Sequence, residues 1–254
     1  MTAALDVREV GRVLVVTIDR PVVKNAINGE IADGIARAMD RLDEASHLSV
    51  GIVHGAGGCF SAGMDLVAFL AGERPDVPGR GFAGLTRRPP AKPLIASVEG
   101  WALAGGFEMV LACDLVVAAE SARFGLPEVK RSLVAAGGGA LRLAGRVPRA
   151  IAMEILLTGA PIGAARAAEF GLVNRIVPDG GALAGALELG EQIAANGPLA
   201  VRATKRVVTE SRYWTAENEW AEQELIVSDV RSSQDAQEGA RAFKERREPV
   251  WSGS

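Results

Sequence analysis

Residues 92–119 constrain the fold of this chain more than any other segment. They read KPLIASVEGWALAGGFEMVLACDLVVAA, and nearly all of them are apolar or small. Two β-rich runs, KPLIASVEG and DLVVAAE, are each bounded by turn residues. The adjacent glycines Gly105 and Gly106 lie between these runs, directly before Phe107 and Glu108. The segment therefore predicts a strand, then a helix that begins near Gly105, then a second strand.

The same alternation of strands and helices extends through the first half of the chain. VREVGRVLVVTIDRP predicts two short strands hinged at Gly11, and SVGIVHG predicts another strand. NGEIADGIARAMDRLDEA predicts an amphipathic helix, because its apolar residues recur at helical spacing. From Pro148 onward the pattern is helical. We therefore expect an α/β layer architecture with a core over 1–196 and a C-terminal helical region over 197–254.

Length and charge exclude several classes of protein. A chain of 254 residues corresponds to one large domain, with or without an appendage. The formal net charge of -3 argues against a nucleic-acid surface, although a local basic patch is compatible with an anion the size of coenzyme A. Two cysteines, Cys59 and Cys113, are too few for a disulfide scaffold. No window reaches ~18 uninterrupted apolar residues, and the N-terminus lacks the pattern of a signal peptide, so we expect a cytoplasmic protein without a membrane span.

Some motifs match a known pattern in sequence but lack the structural context or the partner residues that the pattern requires. GRGFAG, residues 79–84, matches the dinucleotide-binding fingerprint, but neither a strand before it nor a helix after it is predicted. We therefore expect a flexible surface loop at 79–84. The two histidines, His47 and His54, do not make a metal site by themselves, and CFSAG lacks the first glycine of a serine nucleophile elbow.

Three segments carry candidate chemistry. A helix that begins near Gly105 presents free backbone N–H groups, which stabilise an oxyanion that develops on a carbonyl. Glu108 lies in its first turn, where the competing interpretation is an acid that complements the helix dipole. The turn CFSAGMDL supplies a second N–H at Met64, and Glu128 in ARFGLPEVKRSLVAAGGG supplies a second carboxylate. Taken alone, Glu128 also fits a capping or surface role.

Together, these segments resemble the enoyl-CoA hydratase/isomerase, or crotonase, superfamily. The resemblance rests on four ordered blocks and extends from about residue 5 to AFKERREPVW near the C-terminus. The blocks are DRPVVKNAIN at 19–28, FSAGMDL at 60–66, VEGWALAGGFEMVLACDLVVAAESARFGLPEV at 98–129 and TGAPIGAARAAEFGLVNRIVP at 158–178.

The resemblance implies a spiral of ββα units with a C-terminal helical region that builds homotrimers, often paired into hexamers. It also implies an oxyanion hole formed by the N–H groups of Met64 and Gly105, and a water molecule held between Glu108 and Glu128. Lys24 matches a position that is often basic in the family and is expected at the CoA phosphates, and Arg246 near the C-terminus is expected to reach the nucleotide of a neighbouring subunit; the competing interpretation of both is a solvated charge. Ala26, Ala62, Asp65 and Leu66 fall in the loops that line the CoA groove. No metal and no cofactor beyond the CoA of the substrate are implied.

The implied reaction is hydration of a trans-2-enoyl-CoA to a 3-hydroxyacyl-CoA, as in fatty acid oxidation and lipid metabolism. Three alternatives stay open: double-bond isomerisation, dehydration of a special acyl-CoA such as carnitinyl-CoA, and a non-catalytic CoA-binding scaffold. The intact glutamate pair argues against the scaffold. Ala104 and the pair Ala135-Ala136 depart from the usual family residues. The acyl-pocket wall falls at 68–90, and we derive no acyl chain length from it.

Overall fold

A computed structural model describes residues 4–254, which form eleven strands and ten α-helices. The strands are β1 (Leu5–Val10), β2 (Val13–Ile18), β3 (Val50–Gly55), β4 (Asp76–Val77), β5 (Gly81–Phe82), β6 (Leu94–Val98), β7 (Trp101–Leu103), β8 (Leu115–Ala119), β9 (Arg123–Gly125), β10 (Ile162–Gly163) and β11 (Arg175–Val177). The helices are α1 (Gly29–Glu44), α2 (Leu66–Leu70), α3 (Gly105–Ala112), α4 (Gly139–Arg146), α5 (Arg149–Thr158), α6 (Ala164–Glu169), α7 (Ala182–Ala194), α8 (Pro198–Glu210), α9 (Glu219–Arg231) and α10 (Gln234–Glu245).

Six strands form the main sheet, in the order β1, β2, β3, β6, β8, β11. The β1/β2 pair is antiparallel, and every later pair in this sheet is parallel. A second sheet of three short strands runs in the order β10, β9, β7, while β4 and β5 form a separate hairpin. This mixed α/β architecture with a helical C-terminal region is the crotonase-like spiral that the sequence implies.

The main sheet is buried on both faces. Alternate residues of β2 belong to two different apolar clusters: Leu14 and Val16 to the larger one, Val13 and Val15 to the smaller one under α7. The larger cluster continues through α1 and α3 to the smaller sheet. Burial on both faces explains why these strands are nearly continuous apolar runs, and it places the first turn of α3 in the protein interior.

Most elements of the first half confirm the sequence prediction, including the two N-terminal strands, α1, β3, β6, β8 and the start of α3 at Gly105. The second half contains two strands that the helical pattern did not predict, β10 and β11. Each has only two or three residues, and each forms by pairing with a strand more than 35 residues earlier in the chain, β9 or β8. Local periodicity carries no signal for such short, long-range pairings.

The expected flexible loop at 79–84 is wrong. This segment contains β5, which pairs with β4, and the side chains of Arg80, Phe82 and Ala83 are buried. Arg80 forms an ion pair with Asp40 on α1. The hairpin is therefore packed against the body of the protein, next to the first turn of α3.

The C-terminal helices α8, α9 and α10 follow one another over 198–245. After them the chain returns to the core, where the Trp251 indole N–H donates to the Ala195 carbonyl at 2.7 Å. Among residues 4–254, no helix combines the length and apolar content needed to cross a bilayer.

Candidate active site

Glu108 lies on the first turn of α3 and is almost completely buried, with 4% of its surface exposed. Ala104 precedes the helix with a positive φ of 49°, and the Gly105 amide follows at the first helical position. Since the first amides of a helix have no intrahelical acceptor, the carboxylate of Glu108 and the free amide of Gly105 occupy the same helix end.

Backbone from the glycine run at 137–139 surrounds the Glu108 carboxylate. The Gly139 N–H donates to Glu108 Oε1 at 2.9 Å, and an added Cβ at Gly137 would collide with Oε2. Burial raises the pKa of Glu108, while the amides of Gly139 and Gly137 and the nearby Arg142 act in the opposite direction. These donors favour the ionised form of Glu108 against the cost of desolvation.

Glu128 lies on a short 3-10 turn, Pro127–Arg131, directly after β9. Its Oε2 is buried, and no donor within residues 4–254 bonds to it. Burial, assisted by the negative charge of Glu108, raises the pKa of Glu128 to about 6. The two carboxyl groups are thus close enough to interact, and they differ in that Glu108 accepts from the backbone of the glycine run whereas Glu128 keeps one buried oxygen without a donor.

The Met64 loop packs directly against the start of α3. An added Cβ at Gly63 would lie 2.9 Å from the Gly105 nitrogen and 3.0 Å from the Leu103 carbonyl oxygen. Ile27 bonds to both neighbours of Met64, through the Gly63 carbonyl at 2.8 Å and the Asp65 amide at 2.9 Å. Within residues 4–254, the amides of Met64 and Gly105 both lack a protein acceptor, so two free donors stand on adjacent segments.

A buried polar framework that the sequence analysis missed fixes the Met64 loop. The Asn25 amide is fully buried and donates to the carbonyls of Ala56 at 2.8 Å and Cys59 at 2.6 Å. The Ser61 hydroxyl donates to the Asn25 carbonyl at 2.8 Å and accepts from the Gly63 amide at 3.1 Å. In the sequence, Asn25 and Ser61 are only two polar residues within two of the family-like blocks. Nothing there reveals that each side chain bonds to the other's loop.

Most of the residues assigned to CoA binding gather beside this framework. The Ala62 N–H donates to the Lys24 carbonyl at 2.9 Å, which joins the two loops. Lys24 and Leu66 are exposed, whereas Ala26 is buried. The Asp65 carboxylate is engaged within the protein, because it caps α2 and pairs with Arg20 at 3.1 Å.

Arg246 differs from the other assigned residues, because it ends α10, a helix that packs on α9. Within residues 4–254, no hydrogen bond or ion pair joins Arg246 to the Met64 loop. Its assignment therefore depends on a neighbouring subunit.

The β4/β5 hairpin lies within 68–90, the segment expected to hold the acyl-pocket wall, and it borders the start of α3. The Phe82 ring packs over Gly105 so closely that an added Cβ at Gly105 would overlap its Cε1 and Cζ atoms. Phe82 is the register partner of Asp76. An aromatic side chain thus borders the amide of Gly105.

The chain that presents these free amides and the two glutamates also matches a known protein family over nearly its whole length. The model of the enoyl-CoA hydratase/isomerase family matches residues 8–254. The chain belongs to this family.

Relatives of known name agree with the family assignment. The enoyl-CoA hydratase EchA19 of Mycobacterium tuberculosis is 44% identical over 94% of this chain and 92% of its own length. The crystal structure of enoyl-CoA hydratase EchA1 from Mycobacterium marinum matches with a TM-score of 0.97 and 55% identity, over 99% of both chains. A carnitinyl-CoA dehydratase of Salmonella heidelberg is 39% identical over 100% of both chains.

The raised pKa of Glu128 predicts that this family member is destabilised by its own candidate catalytic residue. The folded-state pKa, about 6, exceeds the ordinary 4.5, so ionisation of Glu128 destabilises the folded state as pH rises through this interval. The difference corresponds to about 2 kcal/mol, and solvent screening of a half-buried carboxyl reduces it to about 1 kcal/mol. Glu128→Gln should therefore raise the thermal midpoint by about 2–4 °C at pH 8.

The same thermal melts at pH 4 provide the internal control, since Glu128 of the wild type is then mostly protonated in both the folded and the unfolded state, and most of the gain should disappear. Glu120→Gln, at an exposed glutamate near the end of β8, should leave the thermal midpoint unchanged at both pH values. An equal gain for Glu128→Gln at both pH values would contradict the electrostatic explanation.

Proposed function

We propose that this chain adds water to trans-2-enoyl-CoA thioesters to give 3-hydroxyacyl-CoA products. One observation carries the proposal: the buried Glu108 lies at the helix end that presents the free amide of Gly105, its charge acts on the half-buried Glu128, and the loop with the free amide of Met64 packs against the same helix end. Hydration of an enoyl thioester uses each of these groups, and it requires no cofactor beyond the CoA of the substrate.

The two amides stabilise the charge that develops during the reaction. When the oxygen of water bonds to the β-carbon, the electrons of the double bond move toward the thioester, and its oxygen becomes negative. In this proposal the Met64 and Gly105 N–H groups donate to that oxygen, and removal of one such donor typically costs ~10²–10³ in rate. Because Ile27 and the Phe82 ring hold these two backbone segments in place, the donors need little reorganisation.

The unequal bonding of the two glutamates supports a division of their roles. Glu108 accepts backbone hydrogen bonds that favour its ionised form, so it suits acceptance of the proton that water loses. Glu128 has an unpartnered buried oxygen and a pKa of about 6, so it suits storage of the proton that the α-carbon gains. The pair then exchanges one proton to restore its starting state, and its two titrations are coupled.

The exposed loops beside the site supply the proposed CoA groove. We assign the groove to Lys24, Ala26, Ala62, Asp65 and Leu66, and we assign Arg246 to the nucleotide bound at a neighbouring subunit. Asp65 contributes through its backbone and its α2 cap, since its carboxylate already pairs with Arg20. We further propose that the chain forms a homotrimer, alone or paired into a hexamer, and that it divides into a core at 1–196 and a helical region at 197–254. We also propose a cytoplasmic location and a role in lipid metabolism.

A second candidate function follows from the relative named carnitinyl-CoA dehydratase, which aligns over the whole chain. Dehydration is the reverse of hydration and uses the same two carboxyls and the same two amides. The two candidates therefore differ in the acyl group and in direction, and the catalytic machinery is common to both.

Loss of the enoyl absorbance of crotonyl-CoA, followed with the purified protein, tests the proposal. We expect turnover to 3-hydroxybutyryl-CoA, identified by mass and by coelution with a standard. A panel of enoyl-CoAs that differ in length and branching then defines the acyl group. Tight binding of CoA thioesters without turnover of any of them would contradict the proposal and support a non-catalytic CoA-binding protein.

A further inference from the structure

We propose that Asp76 is a specificity-determining residue, which selects acyl groups that carry a positive charge over neutral acyl groups of the same shape. This inference rests on the proposed function, since it concerns the acyl pocket of that same site. Asp76 lies on the β4/β5 hairpin, whose second strand falls in the segment 79–84 that was expected to be a flexible loop.

Strand register places Asp76 on the wall of the pocket. Asp76 and Phe82 are direct partners in the antiparallel β4/β5 pair, and directly opposed residues project their side chains from the same face of a sheet. The Phe82 side chain projects onto Gly105. The Asp76 side chain therefore projects from the face of the hairpin that borders the first turn of α3.

Two arginine side chains hold the hairpin in this position, and both already have acceptors within the protein. Arg80 pairs with Asp40 on α1 and also donates to the Arg88 carbonyl at 3.2 Å. Arg142 donates to the Thr86 carbonyl beside the same hairpin. These contacts attach the wall to α1 and α4 and leave the Asp76 carboxylate exposed.

The Asp76 carboxylate has no ion-pair or hydrogen-bond partner within residues 4–254. Its negative charge contributes to the raised pKa of Glu108, which supports its placement within electrostatic range of the reacting centre. The neighbouring cation Arg74 lies over the Phe69 ring and donates to two backbone carbonyls. An uncompensated carboxylate at a pocket wall attracts a cationic ligand group and repels an anionic one.

A pair of isosteric substrates separates charge from shape. 4-(Trimethylammonio)crotonyl-CoA carries a quaternary nitrogen, and 5,5-dimethylhex-2-enoyl-CoA replaces that nitrogen by carbon. The measured quantity is the ratio of kcat/KM for the cationic substrate to kcat/KM for its neutral isostere. For the wild type we expect a ratio of about five to ten, the size of one charge interaction across a partly solvated pocket.

Asp76→Asn should bring this ratio down about five- to tenfold, toward one, because it removes the charge and keeps the shape. Asp76→Ser should do the same, which covers the case in which the asparagine variant folds poorly. Asp33→Asn, at an exposed position on α1, is the matched control and should leave the ratio unchanged. A ratio near one in the wild type, or the same ratio in wild type and Asp76→Asn, would overturn the inference.

The same assay distinguishes failure of the inference from failure of the proposed function. If the wild type hydrates crotonyl-CoA and both isosteres but shows no preference that depends on Asp76, only the specificity role is wrong. If the wild type turns over none of the three thioesters, the hydratase proposal itself is wrong.

Discussion

Glu128→Gln should lower kcat for hydration by ~10²–10⁴, because glutamine cannot release a proton to the α-carbon. The substitution keeps the shape of the side chain, and KM for the thioester should change little. Glu128 is the more informative of the two glutamates, because its Oε2 is buried without a donor, whereas Glu108 Oε1 is bonded to the Gly139 amide. The measurement is steady-state loss of enoyl absorbance.

Glu120→Gln is the matched control, since it makes the same chemical change at an exposed position and should retain full activity. Exchange of the α-proton of the product with deuterated water adds a second readout. It should slow in Glu128→Gln in parallel with hydration. Wild-type turnover in the Glu128→Gln variant would show that another group supplies the proton.

Gly105→Ala should lower kcat by about 10²-fold, the effect of losing one oxyanion donor. The new methyl group would overlap the Phe82 ring, which is 6% exposed and has little room to move away. Either the ring or the first turn of α3 must shift, and a shift of the turn moves the Gly105 amide away from the thioester oxygen. Steady-state kinetics with crotonyl-CoA measures the loss.

Two further variants test this steric explanation. Gly145→Ala is also a glycine-to-alanine change in a helix, α4, but nothing lies within 4 Å of the added methyl group, so activity should be retained. Adding Phe82→Ala to Gly105→Ala should recover at least about tenfold of the lost kcat, because it removes the overlapping ring. No recovery in the double variant would mean that the methyl group acts in another way, by blocking the substrate itself.

The catalytic candidates could be proposed from the sequence because they lie in continuous blocks. Glu108 and Gly105 are close neighbours on one helix, and the glycine pair predicted where α3 begins. The apolar runs of the central strands were also readable, since strands buried on both faces cannot be mistaken for polar loops. The short strands β10 and β11 were missed because each depends on a partner far away in the chain.

Other features of the site had no sequence signal. Nothing local to Asn25 and Ser61 indicates that they bond across two loops and so fix the Met64 amide. Phe82 lies in the segment 79–84 that was interpreted as a flexible loop, and Asp76 just before it was not assigned to a strand, because a two-residue strand has no periodicity to detect. Their pairing with each other, and the burial of Phe82 against Gly105, exist only in the folded chain.

The sequence by itself determined the fold class, the family and the chemical types at the candidate site, because these depend on residue order within continuous segments. Only the tertiary structure decided which carboxyl accepts from the glycine run and which keeps a buried oxygen without a donor. It also decided which side chain borders the Gly105 amide. Those properties depend on desolvation and on contacts between segments distant in the chain, and both exist only after the chain has folded.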